Sequence, residues 1–101
     1  MTFIISQRLG RTALHMAADA NRADCVSLLL DNGANINQVS LGGLTPLHVA
    51  CRNGSVDAVK VLLSHALVDV NMETGDRLTA WTITEDEQVL KALEAFKINQ
   101  G

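Results

Sequence analysis

Apolar residues recur along this chain at helical spacing, and the recurrence is itself repeated. Val26, Leu29 and Leu30 fall at i, i+3 and i+4, and Val59, Leu62 and Leu63 do the same. That spacing lines one face of a helix with side chains that must be buried. A shorter apolar stretch precedes each triplet, "TALHMAA" from Thr12 and "TPLHVAC" from Thr45. Thr45 before Pro46 is a helix start, because the hydroxyl accepts a free amide hydrogen of the first turn and Pro loses nothing at the first helical position. Stops are expected near Ala20-Asn21 and Asn53-Gly54, since Asn and Gly tolerate left-handed backbone. Each phrase therefore reads as two short helices. Gly33 caps the second helix of the first phrase, and "ANIN" then leads through "QVSLGG", a long turn projecting away from the helices.

Setting His15 over His48 gives a period of 33, and over twenty positions from Thr12 and Thr45 eight are identical. Two helices this short cannot bury their apolar faces alone, so the units must stack into an all-α solenoid with one continuous core. A third unit is weaker. "TAWTIT" at 79 to 84 carries Thr82 at the His place. Glu87 aligns with Asp57 at an offset of 30, where the preceding linker runs at 34, so about four residues are missing between its helices. "EQVLKALEAF" nevertheless keeps Val89, Leu90, Leu93 and Phe96 on one face and Glu87, Lys91 and Glu94 on the other, as a closing cap requires.

The 33-residue period and "TPLHVA" at 45 to 50 resemble the ankyrin-repeat signature, and "TALHMAA", "LLLDNGANIN" and "DVN" at 69 to 71 look like further pieces of it. The resemblance implies an ankyrin-repeat α-solenoid of helix-turn-helix units with projecting β-hairpin-like turns. It divides one domain, 1–101, into the tail of a preceding unit (1–9, with Phe3 at an apolar place), repeats at 10–42 and 43–74, and a degenerate cap at 75–101. Two departures stand out. Ala66 replaces the counterpart of Gly33 with one extra residue nearby, so the second unit's helix must end differently. Arg77 takes the place of Gly10 and Gly43, where only Gly is free of strain, so the turn at 72 to 78 is expected to be irregular or mobile.

Composition narrows the function. With 48% hydrophobic and 19% charged residues over 101 positions the chain should fold, and with two Phe, one Trp and no Tyr its core falls to Ala, Leu and Val. The net charge of -3 offers no footprint for nucleic acid, whose binding rests on Lys and Arg. Cys25 and Cys51 could pair, but both sit in apolar helical phrases with no secretory signal, and they are read as buried free thiols. "MTFIIS" is too short a run for a signal peptide, and no stretch approaches a membrane span. The expectation is a cytoplasmic or nuclear protein.

His48 and Cys51 stand three apart on one helix, a spacing that two ligands of one metal ion can share. A zinc site needs about four protein ligands, however, and the resemblance assigns the His to ordering the hairpin by bonding to backbone. No nucleophile elbow or phosphate-binding loop exists, and Gly42-Gly43 are turn residues. "EDE" at 85 to 87 suits a helix N-terminus, and Trp81, aligned with Leu14 and Leu47, is placed in the core.

The resemblance implies a noncatalytic module that binds a protein or peptide on the concave face of turns and first helices, with no cofactor, metal, membrane or small-molecule substrate. Its variable positions map to Arg8, Leu9, Arg11, Asp19 and Ala20 in the first unit. In the second they map to Leu41, Gly42, Leu44, Arg52 and Asn53, and in the third to Glu73, Asp76 and Leu78. Leu41 and Leu44 beside Arg11 and Arg52 make a mixture that suits a protein segment. The alternatives implied are a regulatory or targeting segment of a larger enzyme or scaffold, and a substrate of an asparaginyl hydroxylase at Asn37 or Asn71. For the latter, Leu63, Asp69 and Asn71 fit the leucine, acid, asparagine spacing better than Leu29, Asn35 and Asn37.

Overall fold

A computed structural model describes residues 10–100, with side chains through 97. The expected preceding-unit tail at 1–9, with Arg8 and Leu9, lies outside the described residues. Six helices follow one another: α1 (Ala13–Asp19), α2 (Ala23–Asp31), α3 (Pro46–Asn53), α4 (Val56–Ser64), α5 (Ala80–Ile83) and α6 (Glu87–Gln100). Among the described residues there is no strand. The helices form three antiparallel pairs in two layers, with α3 packed between α1 and α5, and α4 between α2 and α6.

Each pair begins with the same device. Thr12 and Thr45 accept the amide hydrogens of His15 and His48 on their hydroxyls, and the imidazole Nδ1 atoms accept the amide hydrogens of Thr12 and Thr45 in return (3.1 and 3.0 Å). Two orphan donors per helix are thereby satisfied. Thr79 and Thr82 build a shorter version at α5. The first helices stop where expected, with Asn21 at φ 57° and Gly54 at φ 67°. Asn21 also uses its side-chain oxygen to accept the Ala58 amide hydrogen in the first turn of α4 (3.0 Å). The acidic run serves the third unit in a comparable way, because the Asp86 carboxylate accepts the amide hydrogens of Gln88 and Val89 at the start of α6.

The core is one continuous cluster. Leu14, Ala18, Leu47, Ala50 and Cys51 from the first helices meet Val26, Leu30, Val59, Leu62, Leu63, Val89 and Leu93 from the second, all buried. The faces read from i, i+3, i+4 spacing are the buried ones, with Leu29, Leu90 and Phe96 at their half-buried edges. Small residues where helices approach, Ala18, Ala50 and Ala58, let the layers close without aromatic bulk.

The turn around Arg77 corrects one expectation. Rather than being irregular, it repeats the turn at 40 to 44: Ser40 donates to the Leu44 carbonyl and Gly43 to Ser40, as Thr74 donates to Leu78 and Arg77 to Thr74. Arg77 accepts φ 64° to do so, a strained choice for a residue with a Cβ. The compensation is Thr74, whose buried hydroxyl accepts from the amides of Asp76 and Leu78. The Ala66 departure behaves as expected: α4 ends at His65 in extended backbone, not in the left-handed cap that follows α2 at Gly33.

Candidate functional site

The two turns stand side by side. Gly75 donates to the Gly42 carbonyl at 2.6 Å, an approach that works because Gly43 has no Cβ, which would lie 2.9 Å from the Gly75 nitrogen. Below the first turn, Arg11, Ser40, Leu41, Leu44, Val49 and Arg52 line a shallow groove of about 190 Å³. Leu41 is 68% exposed at its edge, Leu44 is half-buried, and Arg52 is exposed on the last turn of α3.

The expected contact residues divide by what they already do. Arg11 pairs with Asp19 across 3.5 Å, and Asn53 donates to the same carboxylate from the next unit, so these three tie unit one to unit two across the face. The ion pair is partly solvated and contributes at most about 1 kcal/mol. Arg52 and Leu41 have no such structural task, and Glu73, Asp76 and Leu78 are exposed in or beside the second turn. Ala20 and Gly42 are exposed as well. Sequence reasoning missed Ser40 and Val49 as lining residues. Val49 is almost wholly buried and reads in sequence as core; only the groove shows that one edge of it forms the floor.

The histidines hold the turns. His15 Nε2 lies 2.8 Å from the Leu44 carbonyl and His48 Nε2 lies 2.8 Å from the Met72 carbonyl. A carbonyl only accepts and an amide hydrogen only donates, so each ring is the neutral tautomer with hydrogen on Nε2 and the Nδ1 lone pair turned to its own cap. Burial lowers both pKa values below the ordinary 6.5, against the opposing pull of the two carbonyls, and at His15 the Arg11 charge adds to the lowering. Both nitrogens of each ring are committed, which leaves none for a metal. Cys51 is enclosed, with burial pushing its thiol up to about 12, and it acts as a small apolar residue. Cys25, half-buried on α2, is a free thiol as well.

Two further sequence-predicted residues differ in circumstance. The Asn37 carboxamide donates to the Leu67 carbonyl (2.8 Å) and accepts from the Asp69 amide (2.9 Å), clamping the segment after α4 to the segment after α2. Asn71, its counterpart one unit on, is exposed, and its backbone N–H donates to the Asp69 carboxylate. Trp81, expected in the core, is only half-buried: it packs on the core cluster and forms part of the wall of an open cavity of about 520 Å³ with Phe96. The periodic Asn at 37 and 71 was the available signal for the clamp.

Stacked Thr-His-capped helix pairs with tied turns define a repeat scaffold, and comparison with known proteins gives it a name. A profile of Ankyrin repeats (3 copies) matches residues 3–76. The chain belongs to the ankyrin-repeat family, a protein-protein interaction fold. It is 37% identical over 87 residues to Transient receptor potential cation channel subfamily A member 1 of Homo sapiens, covering 83% of this chain and 8% of that protein. It is 34% identical over 89 residues to Rabankyrin-5 of Mus musculus, covering 88% and 8%. Protein phosphatase 1 regulatory subunit 27 of Homo sapiens is 44% identical over 55 residues, covering 54% and 36%. The chain thus spans under a tenth of the first two relatives. Among solved structures, the ankyrin repeat domain of Bcl-3 superposes with a TM-score of 0.78 at 28% identity, over 85% of this chain and 37% of that one. No helix among the described residues is long and apolar enough to cross a membrane.

Proposed function

We propose that this domain is a noncatalytic binding module whose partner, a protein or peptide, is held on the concave face of turns and first helices, centred on the groove beneath Leu41. The observation that carries this reading is an exposed leucine on a hydrogen-bonded turn, above an apolar floor of Leu44 and Val49 and beside the uncommitted guanidinium of Arg52. A rigid apolar edge with an arginine at its rim has the composition of an interface centre. Asp19 and Asn53 contribute by fixing the face; Glu73 and Asp76 extend it onto the next turn. Because Leu41 and Arg52 do not support the fold, the pair L41A/R52A is the cleanest test. A lysate protein retained by the parent domain and weakened at least about tenfold by the variant, with helicity unchanged, supports the face; equal retention moves the site elsewhere. Given the small share of the relatives that the chain matches, the same module also fits a regulatory or targeting part of a longer polypeptide.

A second reading, modification by an asparaginyl hydroxylase, is favoured at Asn71 over Asn37. Asn37 is partly buried with its carboxamide clamped by two hydrogen bonds, whereas Asn71 is exposed. Intact-mass analysis after incubation with such an enzyme should show one added oxygen, mapped by fragmentation to Asn71. No mass change removes the reading, and oxygen on Asn37 reverses the choice of residue.

A further inference from the structure

The groove beneath the first turn carries charge of one sign. Its lining of Arg11, Ser40, Leu41, Leu44, Val49 and Arg52 holds two cations and no acid, on a chain whose net charge is -3. The two arginines differ in what they are free to do. Arg11 is already paired with Asp19, whose carboxylate also accepts from Asn53. Arg52 is exposed on α3, and its guanidinium has neither an ion pair nor a hydrogen bond among the described residues, so its whole fork of N–H donors is open to a ligand. Between them the floor is held still. The Leu44 carbonyl accepts from the Ser40 amide and lies within hydrogen-bond distance of His15 Nε2, both at 2.8 Å, and Val49 is 1% exposed.

Size and charge together narrow what fits. A volume of about 190 Å³ falls below the roughly 300–1,000 Å³ of sites that enclose a metabolite-sized ligand, and suits a single aliphatic side chain. The second turn, tied to the first by the bond from Gly75 to the Gly42 carbonyl, exposes Glu73, Asp76 and Arg77, two acids against one base. Positive charge therefore stops at the groove, which disfavours an evenly acidic polymer and suits a single carboxylate. We infer that the partner segment is a short linear peptide in which an aliphatic residue stands next to an aspartate or glutamate. This rests on the turn face being the binding surface, as proposed above, and adds what that surface selects. The aliphatic side chain sits on Leu44 and Val49 against Leu41, and the adjacent carboxylate accepts from the Arg52 fork. Apolar burial supplies affinity, and the arginine supplies the choice of sequence.

The test pans a displayed library of random dodecapeptides against the full chain and then titrates synthetic copies of the enriched peptides. Enrichment of Asp or Glu beside Leu, Ile, Val or Met is expected, with binding weakened by L41A. Changing that acid to its amide in the peptide should cost the parent about tenfold and cost R52Q nothing, because R52Q has already lost the pair. R52K should recover part of the loss, and added salt should weaken the parent more steeply than R52Q. Enriched peptides that L41A loses but that carry no acid, or whose amide forms cost parent and R52Q alike, would overturn this occupant and leave the turn face standing. Peptides bound equally by parent, L41A and R52Q would overturn the turn face as well. Absence of any enrichment would overturn the short linear segment and leave a folded partner surface for the face.

Discussion

The junction between the first two units and the outer edge of the third are built from the same register, yet they hold differently. At the junction, His15 reaches from its own helix cap to the next turn, Asn37 clamps the next post-helix segment, and Leu47 is sealed. At the edge, Thr82 keeps the local cap but is too short to span a unit, Asn71 clamps no segment among the described residues, and Trp81 faces an open cavity. A repeat's sequence device therefore has two halves. The half that starts a helix works alone, and the half that joins units works only where another segment receives it.

The largest expected contrast is in packing. Leu47→Ala should cost about 2–5 kcal/mol, the usual range for a sealed leucine, whereas Trp81→Ala, although it removes more atoms, should cost less than Leu47→Ala because part of the indole already faces the open cavity. Urea unfolding followed by helical circular dichroism measures both; equal losses would mean that the edge is as closed as the junction.

Next comes the tie itself. His48→Thr copies the third unit's solution: the cap survives but the Met72 carbonyl loses its donor, for an expected loss of about 1–3 kcal/mol. Thr82→Ala, at an exposed cap, should cost about 1 kcal/mol or less. A His48→Thr variant as stable as the parent would show that the imidazole is not what joins the units.

The same histidines set a pH dependence. Their folded pKa values lie below 6.5, so the neutral rings favour folding. Stability should be full above pH 6.5 and fall as pH drops from 6.5 toward the folded values, because the unfolded chain takes up protons that the folded chain refuses. Urea midpoints at pH 7.5 and 5.5 should therefore differ, and H15T/H48T should shrink the difference; an undiminished slope would assign it to other groups. Smaller still, Arg77→Gly relieves the left-handed strain but loosens the unfolded chain, for a net gain of at most about 1 kcal/mol in the same assay.

Much of the fold was legible because it rests on local rules. Thr45-Pro46, Asn53-Gly54 and the i, i+3, i+4 leucines each act within a few residues, and each stands where periodicity put it. What was illegible depends on neighbours distant in sequence. Arg77 reads as a broken turn until Thr74 is seen bonding beneath it. Trp81 reads as core by alignment, since the alignment does not say that α6 runs on and leaves it uncovered. On the turn face, Leu41, Leu44, Arg11 and Arg52 were legible as variable positions of the repeat. Val49 was hidden by its burial, and the structural employment of Asp19 and Asn53 is a contact between units.

Where a partner touches the stack decides whether the turn face is the binding surface. Hydrogen exchange of the domain with and without a captured partner, read by mass spectrometry, reports this peptide by peptide. Slowed exchange in residues 40 to 53, with 23 to 31 unchanged, is the expected result. Protection confined to the outer edge, in 68 to 71 and 80 to 97, would contradict the turn face as the primary binding surface.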